Sequence, residues 1–307
     1  MGEQLKIPYV DGVKVGMGFD TLTGKTNADA AVVGTSVTAP QRAGGQTVTT
    51  TFRLVQEVDA LNEALGISAA VAGGYAGFQG SAKVQFAQQC AVTQYCLYVV
   101  IAVEVVNSCL TIDAPALVPD AIELLKVNDL TRFRQRYGNR YVSGLKTGGE
   151  YYAVYRVQSF DESERQSIAS QISASFSNPL LSASLNVDIA ASKQKSLNEL
   201  NVSVFVYQGG GISNTETDLS QMIEKAHAFP MLVSGGNAIL HQAILDEYAG
   251  LELPGDRFDL EDSHQQTDVI FFNSRLLGNF TSLVNDIDFI RQHADRFHNP
   301  DGSPPTT

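Results

Sequence analysis

The residues Tyr137-Gly-Asn-Arg-Tyr141 are followed, after six further residues, by the pair Gly148-Gly149. The sequence on both sides of this glycine pair is rich in Tyr and Val, which favours β-strand. Glycine within a strand weakens it and marks a bend, a bulge or the close approach of another backbone. We therefore predict one bent strand that passes through the glycine pair and ends near Phe160.

Three further segments are predicted to be strands of the same sheet. Thr47–Leu54 is rich in Thr and Val, and Tyr95–Cys109 is almost wholly apolar and rich in β-branched residues. A continuous apolar run of this kind is typical of a strand that is buried on both faces. The last strand, Leu200–Tyr207, is followed by a cluster of three glycines, which are Gly209, Gly210 and Gly211.

Residues 54–94, which connect the first two strands, fit both a helix and a strand. Apolar residues have helical spacing up to Leu65, and from there apolar and small polar residues alternate around a turn at Gly73-Gly74. Small residues replace the bulky side chains of a stable strand, so neither state is strongly preferred. In the extended state Lys83 would lie on the polar face. The apolar face would comprise Ile67, Val71, Phe78, Val84, Phe86 and Val92.

Residues 160–201, between the bent strand and the last strand, repeat this behaviour. Their first half has apolar residues at helical spacing that also fall on one face of a strand, and Asn178-Pro179 predicts a turn. Beyond this turn apolar residues alternate strictly with Ser, Asn and Asp. The apolar face would comprise Ile168, Ile172, Phe176, Leu181, Leu185, Val187 and Ile189.

The remaining segments are predicted to be mainly helices and loops. Residues 34–46 and Asp113–Leu117 have the composition of loops, whereas Glu216–His227 and Ala238–Tyr248 are predicted to be helices. Residues 256–307 are predicted to be a separate C-terminal segment, with a helix from Thr281 onward and a disordered tail over 301–307.

The spacing aromatic-Gly-x-x-aromatic, six residues, Gly-Gly resembles the defining motif of the membrane attack complex/perforin (MACPF) family, which is related to the cholesterol-dependent cytolysins. Tyr137, Gly138, Tyr141, Gly148 and Gly149 match it, whereas Asn139 replaces the usual Ser or Thr and Arg140 the usual His. The N-terminal residues also resemble that family, which has a Gly-x-Gly-aromatic-Asp sequence before a turn. These residues are Gly16, Gly18, Phe19, Asp20 and Gly24.

This resemblance implies an α+β fold over residues 1–255. A bent, twisted, four-stranded antiparallel sheet would be flanked by two clusters of helices, which are prospective transmembrane hairpins. In that family both clusters unfold into membrane-spanning β-hairpins, and subunits assemble in a ring, each adding four strands to a large barrel. Lipid accepts extended chain only in a closed barrel, whose strands alternate apolar and polar residues over roughly 10 residues. The two alternating segments meet this requirement.

Composition limits the partners that the chain can have. A net charge of −12 at pH 7 is unsuited to nucleic acid and disfavours general attraction to anionic lipid. The first residues lack the apolar core of a signal peptide, and the longest apolar run, Tyr95–Val103, is far shorter than the roughly 18 residues of a transmembrane helix. We expect a soluble monomer, exported by a route without a signal peptide, that acts at a target-cell membrane.

Motifs for enzymatic or cofactor chemistry are not evident. Gly18 and Gly24-Lys25-Thr26 resemble a phosphate-binding loop, but five residues separate the glycines where that motif requires four. The histidines lack zinc-protease spacing, the three cysteines lack zinc spacing, and the acidic stretch Asp256–Asp262 lacks the pattern of a calcium loop. We therefore expect no cofactor, no bound metal and no catalytic site.

The sequence predicts a pore-forming toxin, defence protein or immune effector that assembles as a homo-oligomer on target membrane lipid. Alternatives remain open at this point. The first alternative is a non-lytic binding or adhesion module of the same fold. The second is one component of a two-component cytolysin that needs a protein partner for docking. The third is an enzyme with an unrecognised site.

Overall fold

The computed structural model describes residues 4–21, 23–38, 45–72, 81–160, 162–176, 202–212, 219–254, 263–298 and 302–303. The strands are β1 (Leu5–Pro8), β2 (Met17–Asp20), β3 (Lys25–Ala30), β4 (Val32–Thr38), β5 (Thr47–Val55), β6 (Cys96–Leu117), β7 (Arg140–Gln158), β8 (Val202–Gly209) and β9 (Ile239–Glu247). The helices are α1 (Val58–Ala64), α2 (Ala69–Ala72), α3 (Ala82–Gln89), α4 (Pro119–Lys126), α5 (Leu130–Tyr137), α6 (Glu162–Phe176), α7 (Leu219–Leu232) and α8 (Ser263–Gln292).

The described strands form one sheet around the long antiparallel pair β6–β7. Each of these two strands changes its outer partner along its length. β6 pairs with β5 over 98–106 and with β4 over 110–117, whereas β7 pairs with β9 over 140–148 and with β8 over 150–157. One end of the sheet therefore has the strand order β5-β6-β7-β8. β1 lies beyond β9, and β2 pairs with β7 near its start.

The change of partners occurs where the β6–β7 register shifts, between Val106 and Ser108 opposite Gly148. Gly148 has φ +151, and a Cβ atom there would lie 1.8 Å from the carbonyl oxygen of Val105. A Cβ atom on Gly149 would lie 2.6 Å from Val233 Cγ1 and 2.7 Å from a backbone oxygen of β8. Both positions must therefore be glycine for the strands to stay this close. We call Gly148, Gly149, Gly209, Gly210 and Gly211 the glycine bend.

Hydrophobic cores lie on both faces of the four-stranded end. Tyr98, Val100 and Val154 face the first core, which also contains buried side chains of α1, α2 and α3. Their sequence neighbours Leu97 and Val99 face the second core, with side chains of α6 and α7. Strands with a core on each side are apolar at every position, as the continuous apolar run of β6 predicts. A third core packs α4 and α5 around the first residues of β7.

Several predicted elements differ from the structure. The helix predicted for Ala238–Tyr248 is wrong, because this segment is β9, a strand that lies between β1 and β7. Residues 34–38 and Asp113–Leu117, predicted as loops, belong to β4 and β6, and these two strands pair with each other. The C-terminal helix begins at Ser263 and not at Thr281. Only residues 302–303 of the predicted tail are described, so that prediction lies largely outside the described residues.

The predicted fold class is confirmed. The protein is an α+β structure built on a large, bent antiparallel sheet, with helices on both faces of its four-stranded end. The structure adds β1–β4 and β9 to the four strands that were predicted. The division of the chain at residues 255 and 256 stays a prediction.

Replacing Gly148 by Ala tests how strongly the bend depends on glycine. We expect Gly148→Ala to lower the free energy of unfolding by about 2–4 kcal/mol, because a positive φ and a backbone clash both oppose the new Cβ atom. Urea unfolding measures the change. Gly236→Ala is the matched control, since nothing lies within 4 Å of that position, and it should stay within about 0.5 kcal/mol of wild type. Equal effects of the two substitutions would contradict the assignment.

Candidate functional site: the glycine bend and the helices packed against it

The predicted Tyr137–Tyr141 motif joins the N-terminal strands to β7. Gly138 has φ +73, and a Cβ atom there would lie 2.1 Å from the carbonyl oxygen of Phe19. The backbone N–H of Asn139 donates to the same oxygen at 3.0 Å. Its side-chain Nδ2 donates to Thr21 Oγ1 at 2.7 Å, and its Oδ1 accepts from the Thr21 N–H at 2.9 Å. The N-terminal and central motifs, which are far apart in sequence, are therefore one structural joint.

The aromatic members of this motif are buried. Tyr248 donates a hydrogen bond through its hydroxyl to the carbonyl oxygen of Tyr137 at 2.8 Å, and its ring packs on Tyr141. Burial raises the pKa of the Tyr137 and Tyr141 hydroxyls. Arg140 donates to Glu247 Oε1 at 2.6 Å across the β7–β9 pair. In this chain Asn139 and Arg140 thus have structural partners at the two positions where the motif differs.

The third glycine cluster closes the bend from the side of β8. Gly209 pairs with Glu150, directly after the glycine pair of β7. A Cβ atom on Gly210 would lie 3.0 Å from the carbonyl oxygen of Gly148, and one on Gly211 would lie 3.3 Å from Leu232 Cβ of α7. The glycines of β7 and β8 are therefore in contact, and together they bring α7 close to the backbone.

The first alternating segment folds as α1, α2 and α3 between β5 and β6. Of its six predicted lipid-facing residues, five are buried in the first core, with at most 7% of their surface exposed. They pack on the sheet with Tyr98, Val100 and Val154. The sixth, Phe78, lies outside the described residues. The five buried members are Ile67, Val71, Val84, Phe86 and Val92.

Lys83 of α3 forms a buried ion pair with Glu150, the residue that follows the glycine pair. The Nζ–Oε1 distance is 2.5 Å, and the two side chains are only 4% and 3% exposed. The ammonium group also lies 4.9 Å from the centre of the Tyr152 ring. The pair attaches the first alternating segment to the bend. Sequence reasoning placed Lys83 on a polar face but missed its partner. The available signal was Glu150 itself, a charge within an otherwise apolar strand.

A second acidic residue, Glu104, lies opposite Glu150 in the β6–β7 register. His241, whose Nε2 lies 3.7 Å from Glu104 Oε1, lowers the pKa of Glu104 to about 2, and Lys146 at 3.4 Å contributes in the same direction. Burial and the nearby Glu150 carboxylate raise the pKa of Tyr152 well above its usual value. Charged groups are thus concentrated at the bend, in a position that is otherwise part of the hydrophobic core.

The second alternating segment begins as α6 on the opposite face of the sheet. Ile168 is buried in the second core, beside residues of α7 that include Met222 and Ile223. Ile172 and Phe176 lie in the helical backbone of α6. The other predicted members of this face lie outside the described residues. They are Leu181, Leu185, Val187 and Ile189.

The C-terminal helix α8 is bound to the residues between α3 and β6. Asn285 donates through Nδ2 to the Val92 carbonyl oxygen at 3.0 Å, and Asp286 accepts hydrogen bonds from the Gln94 N–H at 3.0 Å and from Thr93 Oγ1. Phe289 stacks on Tyr95 with ring centres 5.1 Å apart. α8 therefore holds in place the residues that connect the first alternating segment to β6.

Comparison with known proteins finds similar solved structures only. No protein-family model matches the sequence, and no curated protein matches it. Stonustoxin matches over 91% of this chain and 35% of its own length, at 9% identity and a TM-score of 0.47. GNIP1Aa from Chromobacterium piscinae matches over 86% and 56%, at 16% identity and a TM-score of 0.45. A protein with a MAC/Perforin domain from Bacteroides thetaiotaomicron matches over 74% and 53%, at 13% identity and a TM-score of 0.33.

This chain is similar to solved structures of the MACPF and cholesterol-dependent cytolysin class, and it spans 35 to 56% of the length of these three. None of the described helices has the length and apolarity that crossing a membrane requires. Within the described part of the chain, no group of three or more His, Cys, Asp or Glu side chains is placed to bind a metal ion.

The buried ion pair gives a sharp test of how α3 is held. We expect Lys83→Met to lower the free energy of unfolding by about 3–5 kcal/mol, because the Glu150 carboxylate would remain buried without an opposite charge beside it. The double variant Lys83→Met/Glu150→Met should recover most of this loss, since an apolar pair needs no charge compensation. Lys126→Met is the control, because its pair with Glu123 is exposed and should contribute less than about 1 kcal/mol. Additive losses in the double variant would disprove the pairing.

The depressed pKa of Glu104 predicts a dependence of stability on pH. A carboxyl group whose pKa is lower in the folded protein stabilises it above the usual pKa, 4.5, and loses this effect as the pH falls towards about 2. Glu104→Gln should therefore destabilise the protein at pH 7 and have a smaller effect at pH 3. Urea unfolding at both pH values measures the difference. The exposed Glu123→Gln is the control, and a Glu104→Gln effect that did not change with pH would refute the prediction.

Proposed function

We propose that the protein forms pores as a homo-oligomer, with the alternating segments 54–94 and 160–201 inserting into a target membrane as two β-hairpins per subunit. The observation that carries this proposal is the register of the sheet. Each alternating segment connects two strands that are already antiparallel neighbours, β5–β6 and β7–β8. Each segment would therefore extend its two strands into a hairpin without any change in strand order.

For the first hairpin, the β5–β6 ladder ends with Val55 opposite Tyr98. Continuing this register without a bulge would pair Ile67 with Phe86 and put the turn at residues 76–77. The sequence has its turn-forming residues nearby, from Gly73 to Gly80. Because Ile67 and Phe86 were both assigned to the apolar face, the two limbs would present their apolar residues on the same side of the hairpin.

For the second hairpin, the β7–β8 ladder ends with Val157 opposite Val202. The same continuation would pair Ile172 with Val187 and put the turn at residues 179–180. This position overlaps Asn178-Pro179, which the sequence marks as a turn. The two limbs would again present their apolar residues on the same side of the hairpin, because Ile172 and Val187 both belong to the predicted apolar face.

The apolar residues of both hairpins would also lie on the same face of the sheet. The even-numbered residues of β6 and β7 near the bend, such as Tyr98 and Tyr152, face the first core. In β8 the odd-numbered residues, such as Tyr207, face the same core. Continued by alternation, all four limbs would present their apolar side chains on this one face of the sheet. A barrel in lipid requires this, because every strand must face the bilayer with the same side of the sheet.

Insertion requires several contacts to break. The five buried residues of the first segment would leave the first core, and the Lys83–Glu150 pair would separate. These contacts would hold the chain compact in water, and burial of the same apolar side chains in lipid would replace them. Lys83 would then lie on the polar face, towards the water-filled interior.

Oligomerisation has a structural basis in the edges of the four-stranded end. Among the described strands, β5 pairs only with β6 and β8 pairs only with β7. A strand with an unpaired edge is a template for another chain, so β8 of one copy could pair with β5 of the next. We propose that target membrane lipid and further copies of this chain are the partners. The net charge of −12 favours docking through a specific lipid or a protein partner over general attraction to anionic membranes.

A reversible cross-link of the first segment tests this function. A Cβ atom on Gly278 of α8 would lie 3.3 Å from Asp59 Cγ of α1, so Asp59→Cys/Gly278→Cys should form a disulfide. The oxidised protein should release no dye from liposomes, because α1 cannot extend β5. Reductant should restore release, with rings visible by negative-stain electron microscopy. The two single variants are controls and should not respond to reductant.

Each result of this experiment has a clear meaning. Release that depends on reduction, with rings, supports insertion of the first hairpin. Equal release by the oxidised and reduced double variant would contradict it. If neither wild type nor the reduced variant releases dye on any of several lipid mixtures, the non-lytic alternative is favoured for the isolated chain.

A further inference from the structure

Six apolar residues lie along one exposed side of α8. They follow one another at intervals of three or four residues, which keeps them on one side of a helix. Each has between 49% and 64% of its surface exposed. We call this set the outer stripe. It comprises Val269, Phe272, Leu276, Phe280, Leu283 and Ile287.

The contacts that α8 makes with the described part of the chain lie on its other side. Ser274, Gly278 and Phe289 lie on the opposite side of the helix and are buried against the first alternating segment and its joint with β6. A surface helix normally has one apolar face towards the core and one polar face towards water. On α8 the apolar outer stripe lies on the exposed side instead, which is the pattern of a helix whose outer side is covered by a partner.

The outer stripe is as large as a protein interface. With the flanking Leu277 and Val284, it exposes about 800 Å² of apolar surface, given the typical areas of such side chains. The largest apolar patch of an ordinary monomer is about 300–600 Å². One partner in a stable protein complex buries roughly 800 Å². Contact between two outer stripes would therefore meet the usual size for a stable dimer.

Charge favours a second copy over a membrane as the partner. Helices that lie on lipid surfaces carry Lys and Arg along their polar face. Over Ser263–Gln292, α8 has two arginines and three aspartates and no lysine. The outer stripe itself has no charged member, so two copies could approach along it without like-charge repulsion, despite a net charge of −12 on each chain.

We propose that two copies of this chain associate in solution through their outer stripes, in a two-fold contact of helix α8 with helix α8. A contact of one patch with the same patch on another copy closes on itself. It therefore yields a dimer and no larger assembly. The hot spots are the central aromatic and leucine side chains, because they become fully buried in such a contact.

This dimer also bears on the proposed pore function, and this consequence rests on that proposal. The inner face of α8 holds Val92, Gln94 and Tyr95 at the joint of the first segment. Pairing of α8 would stabilise that arrangement. Because a two-fold contact cannot extend into a ring, the dimer would be the stored form, and it would dissociate before assembly on a membrane.

Light scattering coupled to gel filtration tests the proposal without membranes. Wild type at about 1–100 μM should have twice the 33.1 kDa mass of one chain at the higher concentrations. The triple variant Leu276→Gln/Phe280→Gln/Leu283→Gln should raise the dissociation constant at least about 100-fold. Val127→Gln/Met231→Gln is the control, because it removes two apolar side chains that are 70% and 77% exposed elsewhere. It should remain dimeric, and circular dichroism should show that all three proteins are folded.

Other outcomes would overturn the proposal. A dimer that persists in the triple variant would place the interface elsewhere. A monomeric wild type would also overturn it. In that case, flotation with phosphatidylcholine vesicles, with and without phosphatidylserine, shows whether the outer stripe binds lipid instead. Because no membrane is present in the first measurement, a chain that forms no pores can still dimerise, and the two proposals fail independently.

Discussion

The structure depends on the close approach of the β6 and β7 backbones at Gly148. All other strands attach to this pair, directly or through one neighbour. The ladder continues past its register shift because Gly148 carries no Cβ atom to meet the Val105 carbonyl oxygen. A break there would separate the four-stranded end from the part of the sheet that contains β4 and β9.

The residue after the glycine pair takes part in both the packing and the ion pairing of the first core. Glu150 follows the glycine pair, faces the first core and binds Lys83 of α3. A buried ion pair contributes little net stability compared with an apolar pair, but it strongly disfavours any state in which one partner stays buried alone. The pair therefore favours complete docking or complete release of α3 over partial opening. This property would suit the insertion that we propose for the first alternating segment.

Sequence patterns predicted the central strands well and the peripheral ones poorly. β5–β8 were found from β-branched composition and glycine punctuation, which are local signals. β9 was taken for a helix because its apolar residues, such as Leu240, Ala243 and Ile244, also have helical spacing, and a short segment of this kind fits both states. The pairs Glu104–His241 and Glu150–Lys83 were not predicted. A charge in an apolar strand indicates that it has a partner, but it does not show which residue the partner is.

The sequence by itself determined where the sheet bends and which segments alternate, since glycine and hydrophobic period act locally. Only the tertiary structure decided the strand registers, the burial of Lys83 against Glu150, the opposite faces on which α3 and α6 pack, and the exposed outer stripe of α8. These features depend on contacts between residues far apart in the chain. Such contacts follow from the summed free energy of packing and pairing, which no single segment contains.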